Sequence, residues 1–126
     1  MTDDRPHGSI AIRTLAMPAD ANPNGDIFGG WLLGQMDIAA GVAARDRAKG
    51  RVATVAVDAM TFKLPVYVGD LVSCFAEIVH VGRTSIAVWV EAWATRRDGT
   101  EIKVTEGKFT YVALGEDRRP RPVPPA

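Results

Sequence analysis

A single acidic side chain lies in an otherwise apolar segment of the sequence. Between Trp31 and Ala44 the only charged residue is Asp37, and most of its neighbours are Gly, Ala, Leu, Ile or Val. A carboxylate in such surroundings is costly unless it is paired, hydrated or neutral. Two interpretations stay open: an Asp that bonds a neighbouring backbone amide or reaches solvent at an interface edge, and a catalytic carboxylate that activates water.

The loop before this segment offers further polar groups. Gly29 and Gly30 begin a predicted helix, where backbone N–H groups lack acceptors and the helix dipole adds partial positive charge. Such donors can hold a developing oxyanion in acyl transfer, although an ordinary glycine-rich helix start has the same sequence. Asn22 and Asn24 add side-chain amides to this loop, a position where asparagines are usually structural.

Helix geometry limits how these groups can cooperate. Gly30 and Asp37 are seven residues apart, so they lie on nearly the same helix face but about 10.5 Å apart along the axis. One carbonyl carbon can hardly contact both groups at hydrogen-bond distance. If both serve one reaction, the amide and the carboxylate should therefore come from different subunits of a dimer.

Periodicity predicts the elements that position these residues. Alternation over Ser9–Leu15 predicts a short strand, residues 17–26 predict a turn-rich loop, and a helix should run to about Lys49 with Gly50 at its end. Four more strands are expected over Arg51–Phe62, Leu71–Val81, Thr84–Thr95 and Glu101–Ala113. This order gives an α+β fold, and the apolar composition predicts a helix buried nearly all round.

Composition restricts the class of protein. The 126 residues allow one domain, over residues 9–114, between a segment 1–8 and a Pro- and Arg-rich tail 115–126 that are both expected to be flexible. Fifteen basic residues balance fifteen acidic ones, so no nucleic-acid partner is expected. The single cysteine, Cys74, excludes an intrachain disulfide, and two histidines leave little for a metal site. With no visible signal peptide or membrane span, the sequence predicts a cytoplasmic protein.

Residues 13–37, RTLAMPADANPNGDIFGGWLLGQMD, resemble hotdog-fold acyl-CoA thioester hydrolases, in particular the bacterial YciA-type branch. Similar stretches are GRVATVAVDAMTF at 50–62, PVYVGD at 65–70 and VGRTSI at 81–86, so the resemblance covers roughly residues 9–113. It implies a long central helix wrapped by an antiparallel sheet of about five strands. It also implies active sites between the subunits of a homodimer, and a trimer of dimers as the higher assembly.

The resemblance implies roles for single residues as well. Asp37 matches the general base or nucleophile, Gly30 the backbone N–H that polarises the thioester carbonyl, and Asn22 the loop amide that positions substrate or water. Contacts with the rest of the substrate are expected from Gly29, Met60, Phe62, Arg83, Thr84 and Ser85.

Three of these substrate contacts have an ordinary structural alternative. Arg83 lies in a turn that resembles the one meeting coenzyme A, where it would contact a phosphate, but it also fits an exposed hairpin arginine. Met60 and Phe62 would line the acyl channel, although core packing is the favoured role for both.

The expected reaction is hydrolysis of acyl-CoA to the free acid and coenzyme A. No metal or other cofactor is expected, because a thioester is already activated. Two alternatives stay open: a non-catalytic acyl-CoA-binding protein, and a hydratase or dehydratase of the same fold. The latter would use a histidine with an acidic partner, whereas His7 and His80 both lie outside the loop and the helix.

Overall fold

The protein is one helix packed on a five-stranded antiparallel sheet, as a computed structural model that describes residues 5–126 shows. A short 3-10 helix, Pro18–Asp20, lies in the loop between the first strand and the helix. The other elements are β1 (Ser9–Leu15), α1 (Gly29–Ala48), β2 (Val52–Phe62), β3 (Leu71–Val81), β4 (Ser85–Thr95) and β5 (Glu101–Ala113). The predicted α+β fold, its helix and its five strands are confirmed.

The sheet has the order β1-β3-β4-β5-β2, with every neighbouring pair antiparallel. Strands β3, β4 and β5 follow one another as hairpins, whereas β1 and β2 occupy the two edges. Strand β2 follows the helix directly and pairs with β5, the last strand of the chain. This long-range pairing brings the first residues of β2 beside the middle of the helix.

The helix covers one face of the sheet. Large side chains of β4 and β5, among them Ile86, Phe109 and Tyr111, are buried beneath it, and each contributes roughly 1.5–3 kcal/mol by leaving water. The helix meets them with a face of mostly small or slender residues: Leu32, Met36, Ala39, Ala40, Ala44 and Ala48.

The opposite face of the helix is not covered in the single chain. Ile38 is 55% exposed and Val42 is 42% exposed, and a Cβ on Gly34 would have open space around it. The prediction of a helix buried nearly all round is therefore not met, because one sheet covers only one face. Within residues 5–126, no helix is long and apolar enough to cross a membrane.

The helix ends at Ala48, one residue before Lys49, the last residue of the predicted helix. Lys49, not Gly50, takes the left-handed conformation with φ 56°, and its N–H bonds the carbonyl of Arg45. Gly50 serves another purpose, since a Cβ there would lie only 2.8 Å from Nη2 of Arg121. The missing side chain lets that guanidinium approach the end of the helix.

The tail over residues 115–126, which the sequence predicts to be flexible, contacts the helix and the β3–β4 turn. Arg121 Nη2 donates to the carbonyl of Ala48 at 2.9 Å, and Arg47 Nη1 donates to the carbonyl of Pro124 at 2.5 Å. The backbone N–H of Val123 bonds the carbonyl of Arg83 at 2.8 Å. The carbonyls at a helix C-terminus lack backbone partners. Arg121 of the tail supplies a donor to one of them, a contact that composition alone does not predict.

Replacing Arg121 by alanine is expected to lower the free energy of unfolding by about 1–3 kcal/mol. The change removes donors to the carbonyls of Ala48 and Leu114, both of which Arg121 bonds at 2.9 Å. Urea unfolding at one fixed protein concentration measures the loss. Arg119→Ala, at an exposed position of the same tail, is the control, and an equal effect of both changes would contradict this role.

The segment predicted to be flexible at the other end is only partly described. Residues 1–4 lie outside the described residues, whereas His7 Nδ1 lies 2.9 Å from Oε2 of Glu91. Glu91 is 2% exposed and also accepts from Nε1 of Trp93 at 3.0 Å. Side chains alternate between the two faces of a strand, and Glu91 is an odd number of residues from Ile86, which faces the helix. Glu91, and His7 beside it, therefore lie on the sheet face away from the helix.

Candidate active site

Asp37 is held by hydroxyl groups from two strands. Thr54 Oγ1, on the edge strand β2, donates to Asp37 Oδ1 at 2.8 Å. The hydroxyl of Tyr111, on β5, lies 2.5 Å from the same oxygen and 2.8 Å from the backbone carbonyl oxygen of Asp37. Neither hydroxyl bonds Oδ2. The half-buried carboxylate is thus anchored through one oxygen, and the other is left for a second partner.

The Tyr111 phenol stays protonated throughout the physiological pH range. Burial raises its pKa far above the ordinary value, and the adjacent Asp37 carboxylate raises it further, since phenolate beside carboxylate is unfavourable. A hydrogen bond with Thr54 acts weakly in the opposite direction. Tyr111 is therefore a permanent hydrogen-bond donor to the carboxylate.

A groove of about 520 Å³ runs along the helix from Ile38 towards the helix C-terminus, and Asp37 itself does not line it. Two arginines, Arg45 and Arg51, give it positive charge. Its lining residues are Ile38, Gly41, Val42, Arg45, Gly50, Arg51 and Val52.

The edge of the sheet beside the groove is apolar and uncovered. On β2, Val55 is 58% exposed and Val57 is 41% exposed. The pairing register of β2 with β5 shifts twice, between Thr54 and Ala56 and between Asp58 and Thr61. Asp37 therefore lies at the border of an exposed apolar strand edge in the single chain.

Asn22 holds the loop before the helix in shape. Its Oδ1 accepts from the backbone N–H of Asn24 at 2.9 Å and from that of Asp26 at 3.2 Å. Gly25 completes the turn with φ 90°, a conformation that side chains disfavour. The turn-rich loop is confirmed, and the Asn22 oxygen serves the turn itself.

A second cleft, of about 420 Å³, lies at the start of the helix and brings several predicted residues together. Asn22, Gly29 and Phe62 all line it, whereas Asp37 does not. The remaining lining residues are Asp26, Ile27, Leu32, Lys63, Leu64, Pro65 and Val66. Gly30, the next helix residue, is exposed and does not itself line the cleft.

Met60 and Phe62, the two residues predicted to line the acyl channel, lie in different surroundings in the structure. Phe62 is 53% exposed, and its ring lies 3.6 Å from the point that a Cβ on Gly29 would occupy. Met60 is half-buried against Gly107 and accepts a hydrogen bond from Thr105 Oγ1 at 3.4 Å. Phe62 therefore faces the cleft, while Met60 packs on the sheet.

The β3–β4 turn lies near the basic C-terminal end of the helix. Arg83 is exposed, and its carbonyl accepts from the tail residue Val123, which is followed by the Pro124 that Arg47 bonds. Thr84 and Ser85 close the turn through backbone bonds to Ala113 N and Gly82 N. Asp37 precedes the helix end by eleven residues, about 16 Å of axis. The predicted phosphate contact is thus remote from the carboxylate.

Other chemically reactive groups lie elsewhere. Burial raises the pKa of the Cys74 thiol to about 12, so this cysteine is not a nucleophile at neutral pH. His7 lies against Glu91, and His80 lies beside Gly82 at the β3–β4 turn. Across residues 5–126, no cluster of three His, Cys, Asp or Glu side chains could hold a metal ion.

Sequence reasoning missed Thr54 and Tyr111. Tyr111 alternates with Phe109 and Ala113 on the buried face of β5, and a tyrosine hydroxyl in such a position needs a polar partner. That need was a usable signal for Tyr111. Thr54 carries no comparable signal, because its partner depends on β2 crossing to the edge beside β5.

A family model described as the thioesterase superfamily matches residues 24–100, which include the end of the loop, the helix and the following three strands up to the β4–β5 turn. The chain belongs to this superfamily. It is 52% identical to the acyl-CoA thioester hydrolase YciA of Salmonella typhimurium over 126 residues, covering 97% of this chain and 95% of that protein.

Solved structures agree with this membership. A hexameric thioesterase from Yersinia pestis superposes with a TM-score of 0.94 at 49% identity, covering 97% of this chain and 100% of the other. A hexameric hotdog fold thioesterase of Campylobacter jejuni gives a TM-score of 0.90 at 43% identity, covering 95% and 93%. This thioesterase-superfamily chain has the hotdog fold, as the sequence resemblance implies.

Proposed function

We propose that this protein hydrolyses acyl-CoA thioesters to the free acid and coenzyme A, with Asp37 as the catalytic carboxylate. The observation that carries the proposal is the anchoring of Asp37 through one oxygen by Thr54 and Tyr111. This arrangement leaves the second oxygen for water or substrate. High identity to YciA-type acyl-CoA thioester hydrolases supports the substrate class.

In the general-base route, Asp37 takes a proton from water, and the hydroxide oxygen bonds the thioester carbonyl carbon. The backbone N–H of Gly30 stabilises the resulting oxyanion. When the tetrahedral intermediate collapses, the C–S bond breaks, and the coenzyme A thiolate takes the proton from Asp37. In the nucleophilic route, the carboxylate itself attacks the carbonyl carbon, and the C–S bond breaks as the coenzyme A thiolate leaves, giving an anhydride. Water then hydrolyses this anhydride to the free acid and the regenerated Asp37 carboxylate, and the released proton goes to the thiolate.

Two subunits must contribute to each site in this proposal. Asp37 does not line the cleft at the helix start, and about 10.5 Å of helix axis separate it from Gly30. The exposed apolar edge beside Thr54 fits pairing with a second copy, because an unpaired strand edge readily adds another strand. A homodimer is therefore the minimal unit, and the hexameric thioesterases among its structural relatives support a trimer of dimers.

The positions of these residues also indicate which of them contact the acyl-CoA. Asn22, Gly29 and Phe62 of the cleft contact the substrate near its thioester, and Met60 contributes to the wall behind them. Arg83, with Thr84 and Ser85 in the same turn, contacts the coenzyme A phosphates at the basic end of the helix. The proposed reaction draws on no cofactor, because the thioester itself is activated, and cytoplasmic location stays a prediction.

Purified protein is expected to release the coenzyme A thiol from acyl-CoA esters, followed with a thiol-reactive dye over chain lengths from acetyl to palmitoyl. Comparing each CoA ester with the pantetheine ester of the same acid tests the phosphate contact, since only the CoA ester carries the nucleotide phosphates. Crotonyl-CoA hydration tests the hydratase alternative. Binding of acyl-CoA without thiol release would instead support the non-catalytic alternative.

A further inference from the structure

The carboxylate of Asp37 is tied to the sheet by two hydroxyls that converge on one atom. Tyr111 approaches from β5 and Thr54 from β2, at 2.5 Å and 2.8 Å from Oδ1. In the sheet these two residues are register partners on adjacent strands. Two donors fixed in a paired sheet therefore define where a helix-borne carboxylate lies.

We propose that Tyr111 and Thr54 are positioning residues that fix Asp37 so that its second oxygen, Oδ2, faces the reacting atoms. This inference rests on the proposed function of Asp37 and extends it to the groups that orient the carboxylate. Without them, the carboxylate rotates about its side-chain bonds and shares its oxygens with other donors.

The geometry distinguishes this role from simple satisfaction of a buried hydroxyl. The backbone carbonyl of Asp37 lies 2.8 Å from the Tyr111 oxygen and would suffice as its acceptor. The shorter contact is with the carboxylate. Burial and the adjacent carboxylate both raise the pKa of Tyr111, so its hydroxyl keeps the proton that it donates at neutral pH.

Removing only the hydroxyl with Tyr111→Phe is expected to lower kcat about tenfold to a hundredfold, because misplaced catalytic groups lose rate steeply. The KM should stay within about twofold of the parent value, since the ring and the substrate-binding cleft are retained. Thr54→Val should lower kcat in the same way, and Thr54→Ser, which keeps a hydroxyl, should restore it. All rates are divided by the concentration of folded protein, which circular dichroism measures.

Two controls decide whether the effect passes through Asp37. Tyr67→Phe makes the same chemical change at the other tyrosine of the chain and should leave kcat unchanged. In an Asp37→Ala background, Tyr111→Phe should cause no further loss. The positioning role alone would be overturned if Tyr111→Phe lowered kcat as much in the Asp37→Ala background as in the parent. It would also be overturned if Tyr111→Phe kept the parental kcat while Asp37→Ala was inactive. Parental turnover by Asp37→Ala itself would overturn the proposed function, and this role with it.

Discussion

Replacing Asp37 by asparagine is expected to lower the turnover of acyl-CoA by about 10²–10⁴-fold. The amide cannot take a proton from water and cannot attack a thioester carbonyl. Its oxygen can still accept the hydrogen bonds that Thr54 and Tyr111 give to Oδ1. The variant therefore removes the reactive oxygen while the surrounding contacts are kept.

Stability and substrate binding should consequently change little in Asp37→Asn. Thiol release under saturating substrate measures turnover, and thermal unfolding measures the fold. Asp46→Asn is the matched control, since it makes the same substitution at an exposed position of the same helix. Turnover at the parental rate in Asp37→Asn would exclude the carboxylate from the chemistry.

A single turnover of the parent enzyme in H₂¹⁸O, with enzyme in excess over substrate, distinguishes the two catalytic routes. In the general-base route, the label enters the acid product during the first turnover. In the nucleophilic route, the first acid molecule can carry an unlabelled oxygen that came from Asp37. The side chain then becomes labelled, which mass spectrometry of the peptide containing residue 37 detects.

The elements of this fold could be predicted closely from sequence because their signals are local. Alternating residues mark β1, and residues of high strand propensity mark the other strands. Turns such as Asp98-Gly99 separate them, with Gly99 at φ 88° as the hairpin requires. The strand predicted as Ser9–Leu15 has those same bounds in the structure. Local backbone preference was sufficient wherever a few adjacent residues decide the outcome.

The site could be predicted only in part, since its assembly depends on contacts between distant residues. Asp37 was identifiable as a costly charge among apolar neighbours. Its partners were not, because Thr54 and Tyr111 meet only when β2 joins β5 at the sheet edge. For the same reason composition could not place the contacts of the tail, where Arg121 donates to the carbonyl of Ala48, 73 residues away at the helix end.

A mixture of two inactive variants is expected to regain activity if each site combines residues from two subunits. Gly30→Pro removes the backbone N–H proposed to bind the oxyanion, at a first-turn helix position where proline is tolerated. Gly30→Ala keeps that N–H, and its Cβ would have open space, so it should stay active. Gly30→Pro alone should lose about 10²–10³-fold in kcat, the usual effect of removing one oxyanion donor.

Unfolding and refolding Gly30→Pro together with Asp37→Asn then tests the shared site. In a mixed dimer, one site carries both substitutions and the other carries neither, because each site takes Asp37 from one subunit and Gly30 from the other. Random pairing makes about half of the dimers mixed, each with one intact site, so about a quarter of parental activity should return. Each variant refolded alone is the control. If the mixture is no more active than its components, Asp37 and Gly30 do not act across the subunit interface, and the helix-rise argument for a shared site fails.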